Sequence, residues 1–239
     1  MHRFFAPPTS FETASVKLDA DETRHLRDVL RLKSGDTVSV FDGVGSEFRC
    51  VISDIGKRDA TLTIIEKTVP SSPESPCEIT LAATVLNGDK YDLVIQKSVE
   101  LGVTRLIPLQ TIRGDVKAKD AAKRMVRWSR IAMEATKQCG RARLMEVAEP
   151  ATFEQVIAEI SDESVVMFSE REGSGFDHVK VDKKITALIG PKGGWDDLEL
   201  KMAREKGIGV ITLGGRILRA ETASIALIAI LQHRYGDLN

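Results

Sequence analysis

Residues 213–224 read LGGRILRAETAS, between the apolar run that ends in VITL and an almost wholly apolar segment from Ala223 to Leu231. A plain strand-to-helix connection needs one glycine or one cap. This one carries Gly214 and Gly215, then Arg216, Arg219, Glu221 and Thr222. An acid and a threonine suit the start of a helix, where free N–H groups and the helix dipole favour negative charge. Arg219 does not, because its charge falls close to the positive helix end, and an anionic or polar ligand is expected to compensate it. A second stretch has the same design: LIGPKGGW, 188–195, follows an apolar run and holds Gly190, Gly193 and Gly194. Glycines at the carboxyl ends of strands let the backbone approach a ligand and aim N–H groups at it, and ligands of open α/β sheets bind there. Two such loops leaving nearby strands pinch one ligand between them. Neither loop is a P-loop, since no Lys-Ser/Thr pair opens the following helix, and neither is the dinucleotide fingerprint.

Around these loops the pattern is α/β. From residue 77 to 239, apolar runs alternate with helical periodicity: EITLAATVL, then GDKYDLVIQKSVELG, TRLIPLQ, one long helix over VKAKDAAKRMVRWSRIAMEATKQCG, a short strand near Leu144–Val147, a helix near Thr152–Ile160, SVVMF, KITALIG, a helix capped by Asp196 with Glu199 in a capping box, GVITLG, and a last helix from Thr222. Strands alternating with helices predict a parallel sheet covered on both faces. Residues 1–69 differ. TVSVF, the turn DGVGS, EFRCVISDI and DATLTIIEKTV read as strands of a small β-rich module, with one helix over DETRHLRDVLRLKSGD. PSSPESP, 70–76, has three prolines and three serines in seven residues and reads as the linker.

With 239 residues and a net charge of −1, the chain has room for a sizeable core and is no polycation. Any nucleic-acid partner is met by a local patch. Such a patch is visible from Arg113 to Arg143, where ten Lys/Arg face three acids. On helical geometry Arg127, Arg130, Lys137 and Arg141 fall along one face, opposite Met125, Trp128, Ala132, Ala135 and Cys139. A one-sided excess in a nearly neutral protein points to a polyanion. Arg3, Arg24, His25, Arg27, Arg31 and Lys33 extend it in the first module, which carries eleven acids against ten bases overall. Cys50, Cys77 and Cys139 are far apart and the four histidines (2, 25, 178 and 233) are scattered, so no metal site is expected. No apolar run approaches the ~18 residues of a membrane span, and a cytoplasmic protein is expected.

Together LIGPKGGW and LGGRILRAETAS resemble the SPOUT class of S-adenosylmethionine-dependent RNA methyltransferases. HRFF, HLRDVLRLKSGD, FDGVG, GDKYDLVIQKSVELGV and RWSRIAMEATKQCGR resemble, within that class, the blocks of the RsmE family, which methylates N3 of a uridine in 16S rRNA of the small ribosomal subunit. The chain departs from the family pattern at Thr111-Ile112-Arg113-Gly114, at Val85-Leu86-Asn87 and at Lys137. The resemblance implies an α/β fold whose C-terminal part is threaded into a trefoil knot, a PUA-like RNA-binding β-barrel in front of it, a homodimer, and S-adenosyl-L-methionine without a metal. It implies that the cofactor is held by Phe168, Ser169 and Glu170, by Ile189, Gly190, Pro191, Lys192, Gly193 and Gly194, and by Leu213, Gly214, Gly215, Ile217, Leu218 and Thr222. Arg219 and Glu221 are then the catalytic candidates, Arg219 as the cation for charge developing on uracil and Glu221 as its orienter, a proton acceptor or a helix-capping acid. A methyltransferase acting on tRNA, a non-catalytic RNA-binding assembly protein and a nucleotide-binding metabolic enzyme are the alternatives.

Overall fold

The computed structural model describes residues 1–160, 164–176, 179–181 and 183–238; His178 lies outside the described residues. Two compact units are present, one of residues 1–74 with 136–144, the other of residues 75–135 with 145–239.

In the first unit the strands are β1 (Arg3–Phe5), β2 (Ser15–Leu18), β3 (Thr37–Phe41), β4 (Glu47–Ile55) and β5 (Ala60–Thr68), in sheet order β1-β3-β4-β5-β2. Only the β1–β3 pair is parallel. Phe4, Val16, Leu18, Val38, Val40, Ile52 and Leu62 form the core from one face of these strands. The expected DGVGS turn joins β3 to β4, where the Asp42 carboxylate accepts the N–H groups of Val44 (2.8 Å) and Ser46 (2.9 Å). The expected helix is shorter than its periodicity suggests. Asp19 caps α1 (Ala20–Arg24), which widens into a π-helical turn over His25–Val29 and stops. Arg31 then takes a left-handed conformation, φ 56°. Leu26 is buried while Val29 is exposed, and leaving the helix lets Leu30 and Leu32 pack on the core.

The second unit holds β6 (Glu78–Thr84), α2 (Asp89–Glu100), β7 (Val103–Gln110), α3 (Ala118–Ala122), α4 (Met125–Cys139), β8 (Glu146–Val147), β9 (Ala151–Thr152), α5 (Phe153–Glu159), β10 (Ser164–Phe168), β11 (Lys184–Ile189), α6 (Asp197–Glu205), β12 (Gly209–Ile211) and α7 (Ala220–Tyr235). Every strand pair is parallel, in the order β12-β10-β11-β6-β7-β8, with β9 also on β7. The strands are apolar runs rather than alternating ones because helices cover the sheet. The long helix predicted over 116–140 is two, broken at Lys123–Arg124 with no glycine or proline to mark it. Ala121 and Trp128, one on each side of the break, are both buried. The Asp196–Glu199 capping box on α6 is present. α7 packs on α2 and against β11 and β6. Its buried Gln232 donates to the Leu101 carbonyl (2.8 Å) and accepts from Ser75 Oγ (2.7 Å).

The predicted division at 70–76 omits one segment of the first unit. Residues 136–144, the end of α4 and the chain after it, cluster with residues 1–74. Arg3 is the reason. Its guanidinium pairs with Glu47 and donates to the carbonyls of Thr136 (3.1 Å), Lys137 (2.9 Å), Gly140 (3.2 Å) and Arg141 (2.9 Å), groups that a helix end leaves unpaired. Lys137 pairs with Glu22 at 2.7 Å, and Arg141 with Glu74 at 2.7 Å.

Burial alone pushes the Glu47 carboxyl up, but hydrogen bonds from Arg3 and Ser39 and the Arg3 charge hold it below its ordinary value. A carboxyl lowered on folding contributes stability above the unfolded pKa and loses it as pH falls through the folded one. The first unit is therefore expected to weaken below about pH 4. Arg3→Ala strands a buried carboxylate and is expected to cost about 3–5 kcal/mol at neutral pH, read by urea denaturation of this unit's transition. Gln232→Leu orphans the Leu101 carbonyl and the Ser75 hydroxyl and is expected to cost about 1–3 kcal/mol in the second unit.

Candidate active site

Three neighbouring parallel strands end at one level. Phe168 of β10 is in register with Ile189 of β11 on one side and with Ile211 of β12 on the other. The loops that follow are therefore released side by side at the carboxyl edge of the sheet, where ligands of such sheets bind. Side chains and backbone stitch them together. Ser169 N–H donates to the Ile211 carbonyl (2.9 Å), Thr212 Oγ1 to the Ser169 carbonyl (2.9 Å), and Trp195 Nε1 to the Phe168 carbonyl (2.6 Å). From the adjoining strand, buried Thr84 donates to the Ile189 carbonyl (3.0 Å).

Two glycines are required by this packing. A Cβ on Gly190 would lie 2.8 Å from the Trp195 ring. Gly194 has φ +74°, and a Cβ there would lie 2.6 Å from Glu170 Oε1. Between the loops is a cleft with about 340 Å³ of space, partly open to solvent. Phe168 and Glu170 line it from the first loop, Ile189, Gly190, Pro191 and Lys192 from the second, and Ile217 and Leu218 from the third. Ala220 and Ala223 of α7 complete the wall. Apolar walls with a few polar groups suit a small organic ligand.

The other residues expected to hold the cofactor are not among those lining this cleft. Ser169 is buried behind the cleft, Gly194 is buried against Glu170, and Leu213 is half-buried. Gly193, Gly214 and Gly215 are exposed with open space around them. Thr222 is exposed and does not begin the last helix; α7 starts at Ala220, with Arg219 as its N-cap and no side-chain cap bond. Sequence reading missed Ala220, Ala223 and Thr84, and placed Trp195 in the loop without a role. The signal for Trp195 was its place at the end of GPKGGW; two alanines and a threonine in apolar runs carry none.

The segment 111–115, which follows β7, is tied to the second loop and α6. Ile112 N–H donates to Glu199 Oε1 (2.9 Å), Arg113 pairs with Asp196 (3.2 Å), and Asp115 pairs with Lys192 (3.1 Å). Glu199 is 1% exposed, and burial raises its carboxyl pKa against the pull of two backbone hydrogen bonds.

Charge around the cleft is uneven. Arg216 and Arg219 are exposed, and their side chains make no hydrogen bond or ion pair among the described residues. Glu221 does have a partner, Lys90 of α2, at 3.4 Å. The expected RNA-binding stripe needs correction. Arg3, Lys137 and Arg141 are not available to a polyanion, because their side chains are only 12%, 10% and 3% exposed and are consumed by Glu47, Glu22 and Glu74. Arg127 is exposed but engages Asp89 and Asp92. Arg24 and Arg27 are paired with Asp21 and Asp28. His25 is half-buried, edge-on to Phe4. Arg31 and Arg130 stay exposed, with no side-chain partner among the described residues.

Residues 73–232 match the family model of an RNA methyltransferase domain, and residues 18–65 that of an RNA methyltransferase PUA domain. The chain is 32% identical over 95% of its length to the ribosomal RNA small subunit methyltransferase E of Synechocystis sp., covering 76% of that protein. To the same-named protein of Buchnera aphidicola subsp. Schizaphis graminum it is 31% identical, over 94% of this chain and 92% of that one. The crystal structure of ribosomal RNA small subunit methyltransferase E from Neisseria gonorrhoeae, bound to S-adenosyl methionine, matches the fold with a TM-score of 0.92 at 33% identity over the whole of both chains. A cleft built from three registered strand ends and a sequence match over both units lead to one conclusion: the chain belongs to the ribosomal RNA small subunit methyltransferase E family.

Proposed function

We propose that this protein transfers the methyl group of S-adenosylmethionine to N3 of a uridine in 16S rRNA of the small ribosomal subunit. The observation that carries the reading is the convergence of three loops on one cleft with the unpaired Arg219 at its edge. The cleft fits the donor in kind: apolar Ile189, Leu218, Ala220 and Ala223 for an aromatic ring system, Glu170 and Lys192 for polar ends, and glycine backbone at Gly190 for close approach. S-adenosylmethionine supplies an electrophilic methyl on a sulfonium sulfur; the S–CH3 bond breaks with its electron pair left on sulfur as the N3–CH3 bond forms. Uridine N3 bears a proton and lies on the pairing edge, so the base must be unpaired and the proton must leave to solvent or a base. Negative charge then builds on O2 and O4, and Arg219 is the cation that would stabilise it in this reading. The first unit, which matches an RNA methyltransferase PUA domain, is the second contact surface for RNA, with Arg31 as a free cation.

Two further features belong to this reading. A trefoil knot is supported by the path of the chain, which leaves edge strand β12, forms the third loop, and returns to lay α7 on β11 and β6. A homodimer is supported by α7, whose Ile225, Ala226, Ala229 and Ile230 remain only half-buried in one copy.

Labelled methyl transfer to small subunits from cells lacking this protein, with tRNA as control, is expected to yield 3-methyluridine in subunit RNA alone; label in tRNA instead would replace the substrate assignment. Arg219→Ala is expected to lower turnover by about 100-fold or more with cofactor affinity nearly unchanged. Trp195→Phe removes the bond to the Phe168 carbonyl while keeping the ring, and is expected to weaken cofactor binding roughly fivefold, measured by calorimetry.

A further inference from the structure

Lys90 stands where helix electrostatics disfavours it. It is the second residue of α2, near the positive end of the helix dipole, and Gly88 provides no side-chain cap. Asp89 and Asp92, which suit that end, are engaged with Arg127. Lys90 Nζ lies instead 3.4 Å from Glu221 Oε1, with the Glu221 side chain 15% exposed and that of Lys90 53% exposed.

Glu221 is the second residue of α7. Ala220 and Ala223 line the cleft. At about 100° per residue, Glu221 is turned well away from the wall those two alanines form and toward α2. The same first turn begins at Arg219, whose side chain makes no cap bond. The Lys90–Glu221 pair thus ties the first turn of α7 to α2, in addition to the packing of the two helices, and the residue next in line to feel its loss is Arg219.

Resting on the methyl-transfer reading above, we infer that Lys90 and Glu221 are a positioning pair: they fix the first turn of α7 and so hold Arg219 at the cleft edge, and Glu221 does not touch the reacting base. A catalytic carboxylate and a positioning one differ in what a charge swap does. Exchanging the two residues keeps the attraction, and puts an acid at the start of α2 and a cation at the start of α7, so the helix-dipole terms largely offset. It leaves no carboxylate on α7.

The test uses the full chain as wild type, Lys90→Ala, Lys90→Arg, Glu221→Ala and the double swap Lys90→Glu/Glu221→Lys. Two readouts are taken: kcat and KM for methyl transfer to small subunits, and hydrogen exchange without substrate of the amides of residues 223 and 224, whose hydrogen bonds close the first turn of α7. Each alanine variant is expected to lose about 10- to 100-fold in kcat with a smaller change in KM for the donor. Faster exchange in the first turn of α7 should accompany that loss. Lys90→Arg and the swap are expected to recover most of the kcat and the slow exchange. A swap that restores slow exchange yet stays as inactive as Glu221→Ala would overturn the inference and return Glu221 to the chemistry. Unchanged exchange in Lys90→Ala would overturn it as well. If the wild type transfers no methyl to subunits, the functional reading fails, and the exchange measurement alone still decides whether the pair holds α7.

Discussion

The site depends on the register of three parallel strands. Because Phe168, Ile189 and Ile211 lie at one level on adjacent strands, the loops that follow them open onto the same volume. A slip of one residue in β10 would exchange its two faces and move the Phe168 carbonyl away from the Trp195 indole. That indole bond and the two links from Ser169 and Thr212 then act as a seam that holds the loops together before any ligand arrives. A preformed cleft spares binding the entropy of ordering three loops.

The same economy governs the charges. Some arginines and lysines of this chain are buried in the fold and others are exposed near the cleft. Arg3, Lys137 and Arg141 are buried against carboxylates in the first unit, where removing one partner would leave an uncompensated charge. Arg216 and Arg219 are left open beside the cleft. A cation at a helix start is disfavoured by the helix dipole, a small term where the side chain is exposed to solvent.

Segment 111–115 is held by contacts to the second loop and the start of α6. Asp115 and Arg113 pair with Lys192 and Asp196, while the buried Glu199 closes the capping box of α6 and also receives Ile112. One carboxylate thus orders both a helix start and the loop facing it.

Much was legible in the sequence because it was local. The parallel strands read as continuous apolar runs, the α6 capping box as Asp196 and Glu199 at the required spacing, and two of the three cleft loops as glycines after a strand. Strand order was not legible. The two glycine loops follow β11 and β12, which are not neighbours; β10 lies between them and supplies the third loop. Nor does one-dimensional periodicity say what a polar face meets. Arg127, Arg130, Lys137 and Arg141 were expected along one helix face, but α4 ends at Cys139 before Arg141, and Lys137 and Arg141 are consumed within the first unit. Glu221 was visible as an acid at a helix start, while its partner Lys90 is 131 positions earlier in the chain. Hydrogen-bonding capacity, helix caps and turns are properties of neighbouring residues, and the sequence by itself determined them. Which cations stay free, which carboxylate is held and which loops meet depend on long-range pairing, and only the tertiary structure decided those.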